Sequence, residues 1–589
     1  MMLTTSSPIA DPLFCKFKST NVDSKKPIGW PPVVSCASKF PVANNSFQSF
    51  LSISSDLVDH CTLLVHNRTS NIIGRSFTSR ASVRGDVSSL GKKLLVLAED
   101  REDDDDDDDD EHELKNIPQL DAVVKVFCIM AEPDFASPWG RVQEESYSTG
   151  LIVSGRKVLT TAHSVDHHTL VKLKKHNCDT MYTATMLAIA PECDLAMLTV
   201  HDDEFWKAVK PVEFGDMPSP GDKLIFTGYR EDRDYVSLMA ASVSRLSMRR
   251  YSFWGTTLLA LQVNVAGNGA IYEGPVFDEI CKCVGIEFQS KGNKSDVIPA
   301  EVIKHFIQDY DNNGAFTGLP LLAIKWQKME SPYLRLFMKM EHDEQGVLIT
   351  EVKPNYPESV ILKPYDVLFS IDGIDINNDG TVPFSRGQRI EFSYLIGKKY
   401  NGDKIVIKVR RGSEIHEFII NLATHKQFVS TNIIGIPLPY YIIGGFVFTT
   451  LSFPYMQVMD GRYDRYKTPD EDELFSQALY EERVVLCQVL KADVNDGCDM
   501  ELLVQDQVLV TFNDKPVEGL KSLVSMVEIC NEDFMKFTFG NHKILVLPTN
   551  IARSRTPDIL QAHSIGCAMS DDLKKVVKLT QGKESPIDI

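Results

Sequence analysis

A chain of 589 residues exceeds what one hydrophobic core can hold and points to about three or four domains. Its 43% hydrophobic and 9% aromatic content is that of a folding polypeptide rather than a disordered one. The net charge of −19, from 62 basic and 81 acidic residues, argues against a nucleic-acid partner engaged through its phosphates. Much of that charge is local, because Glu99 to Glu113 holds thirteen acidic residues against Arg101 alone. Twelve cysteines without a C-x-x-C pair read as reduced thiols, not as a disulfide framework. Cys281 and Cys283 form a C-x-C with no second pair to complete a metal site, so they read as core cysteines, and no metal or other cofactor is expected.

Residues 1–95 are rich in Ser, Thr and Asn, poor in acids, and lack a long apolar stretch, the composition of an organelle transit peptide. The first arginine is Arg68, and Val34-Ser35-Cys36-Ala37 resembles a chloroplast processing site; a chloroplast is favoured slightly over a mitochondrion. Residues 96–116 form an acidic linker, since like charges repel and nothing apolar is present to bury. From Asp121 the texture changes to short β-branched and aromatic runs between turn residues: Val123 to Phe127, Thr149 to Val153, Lys157 to Thr160, Leu195 to Val200. That spacing predicts a β-barrel domain rather than βαβ units.

Three motifs follow in order. Thr160-Thr161-Ala162-His163-Ser164-Val165 closes one strand, Asp194-Leu195-Ala196-Met197-Leu198 opens another, and Leu261-Gln262, Asn268 and Gly274-Pro275 frame a loop. Together they resemble the general-base, acid and nucleophile motifs of the Deg/HtrA (protease Do-like) trypsin-like serine proteases, in the family's order. The resemblance assigns the base to His163 and the acid to Asp194. It places His167 and His168 on a surface turn rather than in a metal cluster with His163. Laid on without a gap, it puts the catalytic serine on Tyr272, with Ala270 and Ile271 in the oxyanion loop. The family's glycines two before and one after the serine fall on Ala270 and Glu273. No serine lies between Ser252 and Ser290, so no small gap restores the nucleophile. A phenol with a pKa near 10 stays protonated and reaches several ångströms too far to replace it. Downstream, Val297-Ile298-Pro299 and Val302-Ile303-Lys304-His305-Phe306 resemble the closing strand and helix of that domain, with Val302, Ile303 and Phe306 docking on the barrel.

Residues 315–425 resemble a PDZ domain through Gly346-Val347-Leu348-Ile349 and the Asp366 to Gly373 segment. Such domains add an extended peptide C-terminus to a sheet edge and hold its carboxylate on loop amides. The resemblance places that loop at Leu322-Ala323-Ile324, with Ala323 where many such loops carry glycine. The uncharged stretch Ile433 to Met456 has transmembrane length, but its prolines and the Gly444-Gly445 pair predict buried strands and no membrane span. It opens a second PDZ-like domain, 426–575, whose Asn513-Asp514 stands where the first has Asp372-Gly373, and which reads as a structural or interface module. Residues 576–589 form a tail.

The fold expected is mainly β: a trypsin-like double β-barrel over residues 117–312 followed by two PDZ-like domains. The resemblance implies an ATP-independent serine endopeptidase of organelle protein quality control, assembled as homo- or hetero-oligomers based on trimers, acting on unfolded proteins and peptide C-termini. The residue at 272 implies a chain that does not cut, a scaffold, chaperone or regulatory subunit of active assemblies.

Overall fold

The computed structural model describes residues 120–575, apart from 177, 208, 231–234, 252–255, 267–272, 354–355, 424–437, 453–454, 456–481 and 499–506. The transit-peptide, acidic-linker and tail assignments lie outside the described residues. Two closed six-stranded antiparallel barrels come first. The first contains β1 (Val123–Pro133), β2 (Arg141–Val153), β3 (Lys157–Thr161), β4 (His168–Lys175), β5 (Met181–Ala190) and β6 (Leu195–Val200), in the order β1-β2-β3-β6-β5-β4. The second contains β7 (Lys223–Tyr229), β8 (Val236–Arg250), β9 (Thr257–Val265), β10 (Pro275–Phe277), β11 (Cys283–Lys291) and β12 (Lys294–Pro299), in the order β10-β11-β12-β9-β8-β7. The β-branched runs read from the sequence fall in β1, β2, β3 and β6.

Each barrel is filled by its inward residues, and a third apolar cluster lies between the barrels. Leu159, Leu195 and Met197 of the first meet Ile225, Phe277 and Ile286 of the second there, all fully or nearly fully buried. The helix Ala300–Asn313 closes that cluster with Ile303 and Phe306, then stops at Gly314, which adopts the left-handed conformation that favours glycine (φ 71°). At the outside rates of about 25 cal/mol per Å², burying these two side chains alone stabilises the closure by roughly 3–6 kcal/mol.

The next sheet runs β13-β14-β15-β19-β20. Its strands are β13 (Ile324–Lys328), β14 (Val347–Val352), β15 (Val367–Ile371), β19 (Lys404–Arg411) and β20 (Glu414–Asn421). β16 (Ile374–Asp375) pairs with β15, and β17 (Thr381–Pro383) pairs with β18 (Arg389–Glu391). It docks on the second barrel through the Ala300–Asn313 helix. The His305 ring stacks on Tyr400 at 4.0 Å, and the Tyr394 hydroxyl donates to Glu301 at 3.0 Å. The last sheet runs β21 (Tyr440–Ile443), β22 (Phe446–Thr450), β23 (Val484–Val489), β24 (Val508–Phe512), β26 (Phe534–Phe539) and β27 (Ile544–Pro548), with β25 (Lys515–Pro516) beside β24. The part of the 433–456 stretch that is described is therefore two buried strands, and among the described residues no helix is long and apolar enough to cross a membrane. The hairpin between β1 and β2 reaches this last domain, where Phe135 meets Tyr455 and Trp139 meets Tyr440 edge-on at 5.5 and 5.8 Å.

Asp372-Gly373 and Asn513-Asp514 both carry two positive φ angles, 51° and 77° in the first pair, 44° and 62° in the second. Both are the type I′ connections that match strand twist. The residue difference between the two domains does not translate into a different turn, because Asn513 offsets the strain by accepting from the Lys536 amide at 2.6 Å and donating to the Phe534 carbonyl at 3.3 Å.

Phe537 sits at the centre of an aromatic cluster with Phe446, Phe448 and Phe512. Phe537→Ala should destabilise the last domain by about 3–5 kcal/mol. Calorimetry should show its transition moving down while the barrel transition stays.

Candidate active site

β3 is buried along its whole length and delivers Thr161 and a tight turn at the barrel rim. The Val165 amide donates to the Ala162 carbonyl at 3.1 Å, and the Ala162 amide reaches across to the Asp194 carbonyl at 3.1 Å. Asp194 follows a 3-10 turn over Pro191–Cys193 and takes a left-handed φ of 53°. It is 1% exposed, and both its carboxylate oxygens go to His163: Oδ1 accepts from the backbone amide at 3.0 Å, Oδ2 from Nδ1 at 2.7 Å. The two residues that the sequence paired as base and acid are thus brought together, with the imidazole held in one orientation.

The other ring nitrogen, Nε2, is the one a general base would turn toward a nucleophile. Here it bonds to Oε1 of Glu273, from the opposite barrel. The second oxygen of Glu273 accepts from Thr161 Oγ1 at 2.6 Å and from Ser164 Oγ. The backbone aims this carboxylate. Glu273 has a φ of 52°, and the next residue cannot carry a side chain: a Cβ on Gly274 would lie 1.7 Å from the Thr227 carbonyl oxygen. The Gly274 carbonyl accepts from the Glu287 amide at 3.0 Å, and Thr227 Oγ1 donates to the Pro275 carbonyl at 3.0 Å, so the loop's end is fixed to β7 and β11.

Burial opposes charge on His163, but the Asp194 and Glu273 carboxylates override it and hold its pKa well above the usual value of 6.5. Burial also opposes charge on Glu273, and His163 with the two hydroxyls outweighs it, keeping its pKa below the usual 4.5. The raised pKa favours the imidazolium form, which would donate from both nitrogens to Asp194 and Glu273, while burial pushes the Asp194 pKa above its usual value against the lowering effect of His163. Such a ring has no lone pair with which to take a proton. Glu287, 4% exposed behind the loop, is pushed up to about 7 by burial, the Glu273 charge adding to the shift.

Tyr272, Ala270 and Ile271 lie outside the described residues. His168 Nδ1 donates to the Val165 carbonyl at 3.0 Å, and His167 lies beside Asp166 at 3.6 Å. Among the described residues no His, Cys, Asp or Glu group is arranged to hold a metal. Cys281 and Cys283 are buried thiols, and burial pushes their pKa values up to about 11 and about 12, so neither is a ready thiolate. Leu322, Ala323 and Ile324 lead into β13, and the Ala323 amide donates to the Glu358 carboxylate. The residue that sequence reasoning missed is Glu273. It was visible as a displaced glycine, but the acid was weighed as a lost backbone donor rather than as a new partner for His163.

A trypsin-like peptidase domain model matches residues 148–286 and a PDZ domain model matches 429–572. The chain is 33% identical over 468 residues to "Protease Do-like 2, chloroplastic" of Arabidopsis thaliana, covering 77% of this chain and 75% of the relative. It is 32% identical to "Putative protease Do-like 3, mitochondrial" of the same plant, covering 79% and 82%, and 24% identical to "Serine protease DegP homolog" of Plasmodium falciparum, covering 69% and 58%. The solved structure "HtrA-type protease AlgW with decapeptide" aligns over 52% of this chain and 96% of its own at 18% identity, with a TM-score of 0.40.

The ion cluster predicts a pH-dependent stability. The raised pKa of His163 gives a contribution fully present below pH 6.5 and lost as pH rises through its folded-state value. The lowered pKa of Glu273 gives one present above pH 4.5 and lost as pH falls through its folded-state value. Glu273→Gln should therefore lower the barrel Tm by several degrees, with the largest gap between pH 4.5 and 6.5, corresponding to about 3 kcal/mol for one lost partner of a buried pair. Calorimetry across pH checks this. A gap that stays constant at every pH would contradict an ionic origin.

Proposed function

The chain belongs to the Deg/HtrA (protease Do-like) family, and from that premise we propose that it is a member that holds unfolded chains without cutting them, as a scaffold, chaperone or regulatory subunit of an organelle assembly. The single observation that carries the reading is the Glu273 carboxylate bonded to Nε2 of His163. A serine protease needs that nitrogen bare, so that it can take the hydroxyl proton and pass it to the leaving amine. Here it already carries a proton and is already engaged.

The sequence supplies the second half of the argument. With Tyr272 at the serine position and no serine from 253 to 289, the hydroxyl on which His163 would act is missing. In another serine protease the loss of that serine alone costs about a million-fold in turnover, roughly 8 kcal/mol. His163 and Asp194 cannot offset this, since they work only through the nucleophile. Ala270, where the family carries glycine, and Ile271 belong to the same altered loop, whose oxyanion role is lost with the serine. Two PDZ-like domains and a rigid double barrel remain, enough to bind and present a chain.

The relatives' names include both chloroplastic and mitochondrial proteins, which supports a plant organelle as the site of action. Together with the composition of residues 1–95, we assign the chloroplast first and the mitochondrion second. Association in trimers, with itself or with active relatives, belongs to the same reading.

Digestion of unfolded casein by the purified chain tests this. The natural chain should leave casein intact, and so should Tyr272→Ser alone, because Glu273 still holds His163. Tyr272→Ser with Ala270→Gly and Glu273→Gly should cut it, and His163→Ala in that background should abolish the gain. Cleavage by the natural chain, lost in His163→Ala, would overturn the reading.

A further inference from the structure

The first PDZ-like domain contains a second internal carboxylate, placed where a ligand's would go. Domains of this type receive a C-terminus by pairing it with a sheet edge while loop amides hold the terminal carboxylate. β13 is such an edge: it is the end strand of its sheet and, among the described residues, pairs with β14 alone. The amides available to a carboxylate at its start are those of Leu322, Ala323 and Ile324. Two are already used, because the Ile324 amide donates to the Leu322 carbonyl at 2.9 Å and the Ala323 amide donates to the Glu358 side chain.

Glu358 is not a surface acid that happens to swing in. It is 3% exposed and sits in the 3-10 turn Pro357–Val360 after β14. Its own carbonyl accepts from Leu362 at 2.7 Å and from Ile361 at 3.0 Å, and Ser359 ties the start of the turn to the Tyr356 carbonyl at 2.7 Å through its hydroxyl. The loop side is fixed as well: the Lys353 amide donates to the Ala323 carbonyl at 3.0 Å. Both partners are thus positioned by backbone bonds. A carboxylate arriving from outside would find the Ala323 amide already engaged by the Glu358 side chain.

We propose that Glu358 is a built-in occupant of the carboxylate loop, so that β13 receives extended internal segments of an unfolded chain and does not select free C-termini. The strand edge still offers backbone pairing, which needs no terminus. This inference rests on the reading of the chain as a binder of unfolded polypeptide and names the feature of the polypeptide that this domain recognises.

The test measures binding, so its failure is separate from any result on casein cleavage. A fluorescein-labelled decapeptide ending in three valines is made with a free carboxylate and with a C-terminal amide, and its anisotropy is titrated with the full chain. The natural chain should bind both forms within about twofold of each other. Glu358→Ala, which clears the Ala323 amide, should gain tenfold or more for the free acid and nothing for the amide. Glu358→Gln, which keeps an acceptor in place, should behave as the natural chain. A tenfold preference of the natural chain for the free acid would overturn the proposal, and that comparison needs no variant to fold. So would the absence of any gain in a Glu358→Ala protein with an unchanged Tm, or failure of the amide form to bind either protein.

Discussion

Across the cleft between the two barrels runs a bridge of three ionisable side chains: Asp194 and His163 from the first barrel, Glu273 from the second. A buried imidazolium is unfavourable by itself, and a buried carboxylate without a partner is more so. Each is tolerated here because the other two are in place and because Thr161, Ser164 and the His163 amide satisfy the remaining oxygens. The inter-barrel apolar core sets the distance that the bridge must span, and the pinned end of the loop at Gly274 sets its direction. The nitrogen that a general base would turn toward a nucleophile is here bonded to the opposite barrel.

Much of this was legible in the residues. Four strands of the first barrel announced themselves by β-branched runs, and His163 and Asp194 through the resemblance of the short motifs around them to those of the Deg/HtrA family. Glu273 was not legible in the same way. A side chain's partner across a cleft depends on a backbone direction, here a positive φ followed by a glycine pressed against the Thr227 carbonyl, and neither is written in local periodicity. The equivalence of the Asp372-Gly373 and Asn513-Asp514 turns was hidden for a related reason. Asparagine reaches left-handed conformations with help from bonds to Phe534 and Lys536, which are distant in sequence.

The barrel pair and the domain built on the β13 to β20 sheet share one device. In each, a buried acid of the chain's own engages a polar group on a neighbouring segment and is held by turns rather than by a flexible arm. Glu273 engages the His163 imidazole, and Glu358 engages the Ala323 amide that leads into β13. The similarity is chemical and not topological, since one carboxylate crosses between barrels and the other bonds within a single domain. Both leave the surrounding fold intact: the strands, the helix Ala300–Asn313 and its stacked His305–Tyr400 junction are formed around occupied sites.

The glycine at 274 also bears on history. Because that position admits no side chain, the loop end is held against Thr227, and Glu273 beside it is presented to His163. On the proposed reading, restoring the hydroxyl would gain nothing until the acid also left, and removing the acid alone would give up stability without recovering any chemistry. No single step back would then be rewarded, and the two positions, 272 and 273, would have to change together.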